Sequence, residues 1–504
     1  MNKNLTRRQF LRSAGGVTFL ALVPAGRGLF AAEPGLRATR APVFTALPYI
    51  QPGPDGCLRD GEETVRLAWQ TEHVPADFEV HYDADKNYAK MAEIVRTERI
   101  NEGRASNTFN YVSLCTELQL GRRYFYRVRC NGEKLAEGFF TTRQPRGGHV
   151  RFVAFGDNSY GDAGERAIAF HAYNAHPDFV MNTGDNVYEG GLDSEYARFF
   201  FPVYNSDTAD PAIGGPLLRS IPFYTVIANH DVANKDGRGN PVADFDAASD
   251  SLAYYTNFHL PLNGPFPARP TSVRGESARL DAFRACAGER FPQMANYSFD
   301  CGCAHLLCLD SNLYIDPTDC GLQDWIRHEL RSTDAVWKFV VYHHPAFNVG
   351  VEHYREQHMR VLSPIFEEYG VDVVLSGHEH SYQRTKPMRF APRDTARASL
   401  VNNNDRRVPG DFKVDTRFDG REMTTPEGIL YITTGAGGKS LYDFGRTNNP
   451  PKWTWPDDFH TAYVQSFCSD RHSFTLFDLD PKVLVMRQID EFGKEIDRLQ
   501  ITKS

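Results

Sequence analysis

The stretch Val150-Arg151-Phe152-Val153-Ala154-Phe155-Gly156-Asp157 reads as an apolar strand that stops on a glycine and a carboxylate. Ala163 to Ala175 follows with helical spacing, and Asp178 to Asn182 is a second short apolar run that leads into Gly184-Asp185. The figure returns downstream. Phe223 to Ala228 runs into Asn229-His230-Asp231, Trp337 to Tyr342 into His343-His344, and Val371 to Leu375 into Gly377-His378-Glu379-His380. Strand, helix, strand, with polar residues just past the strand ends, predicts an α/β arrangement whose site forms beyond the carboxyl ends of the strands. Strands are expected again at Gly428 to Thr434, Ser473 to Leu479 and Val483 to Ile489. Segments 236–295 and 389–425, rich in Gly, Pro, Asp, Arg and Ser without a clear period, are expected to be surface insertions overhanging the site.

Before this region the chain has another rhythm. Thr64 to Trp69, Phe78 to Tyr82 and Tyr124 to Arg129 alternate as half-buried strands do, with Gly121, Asn131 and Gly132 as turn residues. Short strands at this spacing predict an all-β sandwich. Its length and the run Leu118-Gln119-Leu120-Gly121-Arg122-Arg123-Tyr124-Phe125-Tyr126 resemble a fibronectin type III module, which implies a positioning or binding role rather than catalysis. Gln144-Pro145-Arg146-Gly147-Gly148 reads as the linker.

The 504 residues, 41% hydrophobic with a formal charge of -8, exclude a disordered tail, a collagen-like rod and a disulfide miniprotein. With 64 acidic against 56 basic residues and no long Lys/Arg run, a basic face for nucleic acid is not expected. The start is distinct: Thr6-Arg7-Arg8-Gln9-Phe10-Leu11-Arg12, an apolar stretch from Ala14 to Pro24, then Ala31-Ala32. This resembles a twin-arginine signal peptide over 1–32, and the resemblance implies engagement of the twin-arginine export machinery, export of the folded protein, and a periplasmic or extracellular destination. The apolar stretch is too short for a stable membrane span. Removing its five cations would take the charge from -8 to -13. The cysteines at 57, 115, 130, 286, 301, 303, 308, 320 and 468 contain no CxxC pair, so a thiolate zinc ribbon is not supported. A disulfide from Cys286 to Cys301, Cys303 or Cys320 is compatible with an oxidising compartment.

The strand-end residues carry a specific chemistry. Asp157, Asp185, Tyr188, Asn229, His343, His378 and His380 offer carboxylate, phenolate, amide and imidazole donors, enough for two adjacent metals if one carboxylate bridges them. Such a pair activates water at neutral pH and clamps the oxygens of an in-line phosphoryl displacement. Each motif alone is common. In the order Gly156-Asp157, Gly184-Asp185-Asn186-Val187-Tyr188, Asn229-His230-Asp231, Val340-Val341-Tyr342-His343, Gly377-His378-Glu379-His380, they resemble the calcineurin-like metallophosphoesterases and, through the tyrosine after Gly-Asp, the purple acid phosphatases. Asn296 to Asp300 with His305 to Ser311 resembles the hairpin of that family, and Gln323-Asp324-Trp325-Ile326 its following helix.

The resemblance implies three regions: the signal peptide at 1–32, the fibronectin III-like sandwich at 40–145, and at 149–502 a βαβ four-layer metallophosphoesterase sandwich. It implies an Fe(III) held by Asp157, Asp185, Tyr188 and His380, with Asp185 bridging to a divalent Fe, Zn or Mn held by Asn229, His343 and His378. It implies a small phosphorylated substrate and hydrolysis of phosphate monoesters by direct attack of a metal-held hydroxide, with a phosphodiesterase or nucleotide pyrophosphatase on the same centre as the alternative, and behind that a secreted non-catalytic binding protein in which the β-module does the work. His353, ten residues after His343, would protonate the leaving group, and His230 would orient substrate or nucleophile beside Asp185. His344 and His358 are left as structural or rim residues. Three departures from the family pattern stand out: Asn158-Ser159-Tyr160-Gly161 after the first Asp, Ala228 where Gly is usual, and Glu352 where some relatives have a second His. Thr433 to Ser440 ends like a phosphate loop, but no helical run follows, so it reads as a Gly-rich turn near the metals.

Overall fold

The computed structural model describes residues 41–503 apart from 102–105, 233, 236–240, 351, 394, 402–404 and 443–462; the segment read as a signal, 1–32, lies outside them. The all-β region consists of two four-stranded sheets. One runs Phe44–Pro52, Glu63–Glu72, Thr108–Leu118, Ile94–Arg99, and the other Lys90–Ala92, Phe78–Asp83, Arg123–Cys130, Glu133–Thr141. Alternate residues point inward as the sequence alternation requires. Trp69 stacks on Tyr111 (5.3 Å between ring centroids, 2° between planes) and meets the edge of Phe78, closing a core with Val80, Tyr126 and Phe140.

The second region has two larger sheets. The first contains β1 (Val150–Phe155), β2 (Phe179–Asn182) and β3 (Phe223–Thr225), mutually parallel. The second contains β4 (Tyr297–Cys301), β5 (Ala304–Cys308), β6 (Trp337–Val341), β7 (Val373–Ser376), β8 (Tyr382–Thr385), β9 (Leu430–Thr434) and β10 (Val464–Cys468), in the order β4-β5-β6-β7-β9-β8-β10. The last three strands, β11 (Ser473–Leu479), β12 (Val483–Asp490) and β13 (Glu495–Thr502), return to the first sheet, giving β3-β2-β1-β11-β12-β13. The sheets face each other through aromatic rings. Phe152 of β1 stacks between Phe179 and Phe477 and meets Phe339 of β6 edge-on at 5.2 Å, while Tyr224 of β3 stacks on Phe299 of β4 at 3.7 Å. Helix α1 (Ala163–Asn174) turns Ile168, Ala169 and Ala172 inward beside the first sheet, and helix α2 (Cys320–Ser332) turns Leu322, Ile326 and Leu330 inward beside the second.

Several expectations need correction. The run Phe223 to Ala228 is a strand only to Thr225, because the Thr225 carbonyl accepts from the Tyr254 and Tyr297 hydroxyls (3.2 and 2.8 Å), so Val226 to Ala228 continue as buried irregular chain. The described part of segment 236–295, residues 241–295, is no surface insertion. It buries Phe245, Leu252, Tyr254, Tyr255, Phe258 and Phe283 in the main core, and its apolar residues lack a period because irregular backbone presents them. The described part of 389–425 likewise contributes a hairpin, Met388–Pro392 with Gly410–Val414, and buries Phe390, Val408 and Phe418 in the core, with the Arg360 guanidinium over the Phe390 ring and bonded to Val408 O. Cys286, Cys301, Cys303 and Cys320 are all free thiols. Cys301 and Cys303 belong to the tight β4–β5 hairpin, where Cys303 Sγ faces the Leu479 carbonyl, so neither reaches Cys286.

Candidate metal centre

Strand ends from both sheets converge. Asp157 follows β1, Asp185 and Tyr188 follow β2, Asn229 follows β3, His343 follows β6, and His378 and His380 follow β7. Asp157, Asp185 and His378 have φ of 56°, 52° and 68°, the left-handed region that lets a chain leaving a strand turn its side chain back across the strand ends. Glycines precede all three. At Gly377 a Cβ would sit 2.5 Å from Asp157 Oδ2, and at Gly184, itself at φ 98°, 2.9 Å from His343 Nδ1, so any larger residue would push the site apart.

Two adjoining sets of donors result. In the first, Tyr188 Oη donates to Asp157 Oδ1 (3.2 Å), and His380 Nε2 lies 3.3 Å from that hydroxyl and 3.5 Å from Asp157 Oδ1. In the second, Asp185, His343 and His378 bring ligand atoms within 4.8 Å of one another, all buried, with His343 Nε2 3.3 Å from Asp185 Oδ2. His343 Nε2 also lies 3.9 Å from Asp157 Oδ1, which joins the sets. Carbonyl groups fix the imidazoles: Thr183 O accepts from His343 Nδ1 and Ser440 O from His380 Nδ1, both at 2.8 Å, leaving each Nε2 directed inward.

Three observations fit metals. Asn229 Oδ1 is buried without a hydrogen-bond partner, a state that costs free energy unless a ligand satisfies it. Carboxylate, phenol, amide and imidazole together suit a hard trivalent and a borderline divalent ion. The charges are held in deprotonated acid and protonated base: burial works against both, but His343, His230 and His378 hold Asp185 far below the usual carboxylate range, and Asp185 and Asp157 hold His343 up at about 9. A metal would displace that imidazole proton. Beneath them Asp231 is pushed up to about 7, by burial first and then by Asp185, and it accepts from the Ala228 amide (3.0 Å) to brace the Asn229 loop.

The other expected residues are also at hand. The His230 amide donates to Asp185 Oδ1 (3.0 Å) and its ring packs on Tyr188 with centroids 4.6 Å apart. His353 packs on His378 at 3.7 Å. His344 and His358 are fully buried, so they are not rim residues; Ser311 anchors both, through its hydroxyl to His344 (3.1 Å) and its carbonyl to His358 (2.8 Å). Two site residues escaped the sequence reading. Glu356 bonds His378 Nε2 at 2.7 Å and lies 3.6 Å from His353 Nδ1; an acid three residues after His353 was the available signal. Tyr442 stacks on His380 (4.0 Å, 6°), and its amide donates to the His380 carbonyl; no pattern in the sequence announces it. The Gly-rich turn does lie at the site, since the Gly437 amide bonds Gly156 O (3.0 Å) and the Lys439 amide bonds Asp157 O (2.8 Å).

Residues 150–382 match the family model described as calcineurin-like phosphoesterase. This segment of the chain is similar to calcineurin-like phosphoesterase domains. Purple acid phosphatase 17 of Arabidopsis thaliana is 26% identical over 243 residues, 47% of this chain and 64% of that protein, so the chain spans less than two thirds of that relative's length. Among solved structures, purple acid phosphatase PPD1 from yellow lupin (Lupinus luteus) superposes with a TM-score of 0.62 at 16% identity, covering 90% of this chain and 74% of the lupin protein. PhoD superposes at 0.53 and 14%, covering 91% and 94%. Those two likenesses show the fold of the phosphoesterase domain and its surroundings.

Proposed function

We propose that this phosphoesterase is an exported acid phosphatase in which Asp157, Asp185, Tyr188 and His380 hold Fe(III), and Asp185, Asn229, His343 and His378 hold a divalent ion. The observation that carries the reading is the pair of adjoining donor sets, Asp157 with Tyr188 and His380 beside Asp185 with His343 and His378, joined by His343 Nε2 at 3.3 Å from Asp185 and 3.9 Å from Asp157. A bound metal pair supplies Lewis acidity and water activation to phosphoester cleavage. The chain supplies the rest. His353 is 23% exposed, beside the donor sets rather than beneath them, and although burial opposes its charge, Glu356 and Glu379 keep its pKa above the ordinary imidazole value. From that place it can pass a proton to the leaving oxygen. His230, tied to Asp185 through its amide, orients the phosphoryl group, and the exposed 28% of its ring allows that contact. The strands of the β-sandwich, read as fibronectin III-like, carry and position the domain. Export by the twin-arginine route rests on the Thr6 to Arg12 motif. Among the described residues no helix is long and apolar enough to cross a membrane.

The test is a substrate panel on metal-verified protein across pH, with phosphate monoesters against diesters and pyrophosphates, run in parallel with Asp185→Asn. Monoesters are expected to turn over fastest at acid pH, and the variant to lose both metal and activity. Faster diester or pyrophosphate hydrolysis would move the substrate assignment, and a fully active Asp185→Asn would remove the dinuclear one.

A further inference from the structure

Lys439 sits against the outer side of Tyr188. Its Nζ lies 4.5 Å from the centroid of the Tyr188 ring and 3.3 Å from that of Tyr160, and it donates to Glu189 Oε1 at 2.6 Å. The side chain is only 15% exposed, whereas Glu189 is 66% exposed. The backbone fixes this cluster from three directions: the Lys439 amide bonds Asp157 O (2.8 Å), Tyr160 follows the bridge of Ser159 to Val187, and Glu189 is the next residue after Tyr188.

We propose that Lys439 is a positioning residue that sets the electron-donating strength of Tyr188, with Tyr160 and Glu189 holding its ammonium in place. This rests on the reading of Tyr188 as an iron(III) ligand. A cation near an aromatic face is attracted to the ring's electrons, and the attraction grows when the phenol becomes a phenolate. Lys439 therefore stabilises the filled phenolate orbitals. Light that moves an electron from phenolate to iron(III) then needs more energy with the ammonium present than without it. Glu189 opposes the ammonium, so the two side chains act on Tyr188 with opposite signs. Tyr188 also contacts His230, so spectra are compared at one pH.

The experiment is the visible absorption spectrum of the metal-loaded protein as isolated, with iron content measured on each sample. Lys439→Met removes the charge and keeps the stem and the backbone bond to Asp157; its charge-transfer band is expected to move about 10 nm to longer wavelength, the shift corresponding to a typical cation–ring attraction. Glu189→Gln is expected to move it to shorter wavelength, and Lys439→Arg to restore the parent position. A band present in the parent and unmoved in Lys439→Met, or moved the same way by both neutral substitutions, would overturn the proposal alone. A parent protein with two metals and no such band would overturn the assignment of Tyr188 and this proposal with it. Thermal unfolding of each metal-free variant separates a spectral effect from a lost fold.

Discussion

Replacing Glu356 by glutamine keeps the shape of the side chain and removes the charge beside His378 Nε2 and His353 Nδ1. A carboxylate on the outer nitrogen of a ligating imidazole fixes its tautomer and raises its basicity. Burial and His353 pull His378 down to about 4, and Glu356 works against them. Glu356→Gln is therefore expected to weaken binding of the divalent ion by roughly 10–100-fold, read as the chelator concentration that strips it, while the iron is retained. Equal loss of both ions would mean that Glu356 supports the whole loop rather than His378. The sequence made the seven proposed ligands legible because they stand just past strand ends, three of them (Asp157, Asp185 and His378) directly after a glycine, where pattern and chemistry coincide. Glu356 and Tyr442 were not, because a loop carries no period and their roles depend on which histidine they meet.

At the level of the element, helix α1 begins with a buried acid. Glu165 is 0% exposed in its first turn, with Oε2 accepting from the Gly161 amide (3.1 Å) and Oε1 without a partner. Burial raises its pKa from 4.5 to about 7. The folded chain thus holds this proton more tightly than the unfolded one. Its contribution is fully present below about pH 4.5 and is lost as pH rises through about 7. Glu165→Gln has no such loss, so relative to the parent it is expected to gain up to about 3 kcal/mol between acid and mildly alkaline pH. Urea unfolding of both metal-free proteins at about pH 4.5 and about pH 8 measures this; a gap that does not change with pH would rule the carboxyl out as its source. The strand β1 and this helix were readable from period alone. The segments 236–295 and 389–425 were not, since aromatic anchors on irregular chain look like insertion in sequence and become core only when the two sheets close over them.

Across the whole molecule, Arg143 is the joint between the all-β region and the sheets. Its Nη2 and Nε bond the Glu63 carboxylate (2.6 and 2.9 Å), Nη2 also reaches Cys57 O, and Nη1 reaches Gly56 O and, at 3.2 Å, Asp300 O of β4. Both charged side chains are more than nine-tenths buried. Arg143→Ala leaves the Glu63 carboxylate buried and uncompensated, at a cost of roughly 3–5 kcal/mol. Unfolding by denaturant should show this, with much of the loss recovered in Arg143→Ala/Glu63→Gln. A single substitution within about 0.5 kcal/mol of the parent, the usual size for a surface site, would mean the contact is dispensable. An all-β stretch followed by strands and helices was visible in the change of period, but this joint was not, because it links residues far apart in sequence through backbone carbonyls.

The left-handed backbone at Asp157, Asp185 and His378 bears on how the site can change over time. Each of these positions screens its occupant twice, as a donor and as a conformer. A residue other than glycine costs roughly 1–2 kcal/mol there, so any substitution to glycine relieves the backbone and deletes a ligand at once. Selection for stability alone would carry the site toward Gly-Gly pairs at 156–157, 184–185 and 377–378. In a descendant lineage, those pairs would mark the loss of metal before the fold showed any change.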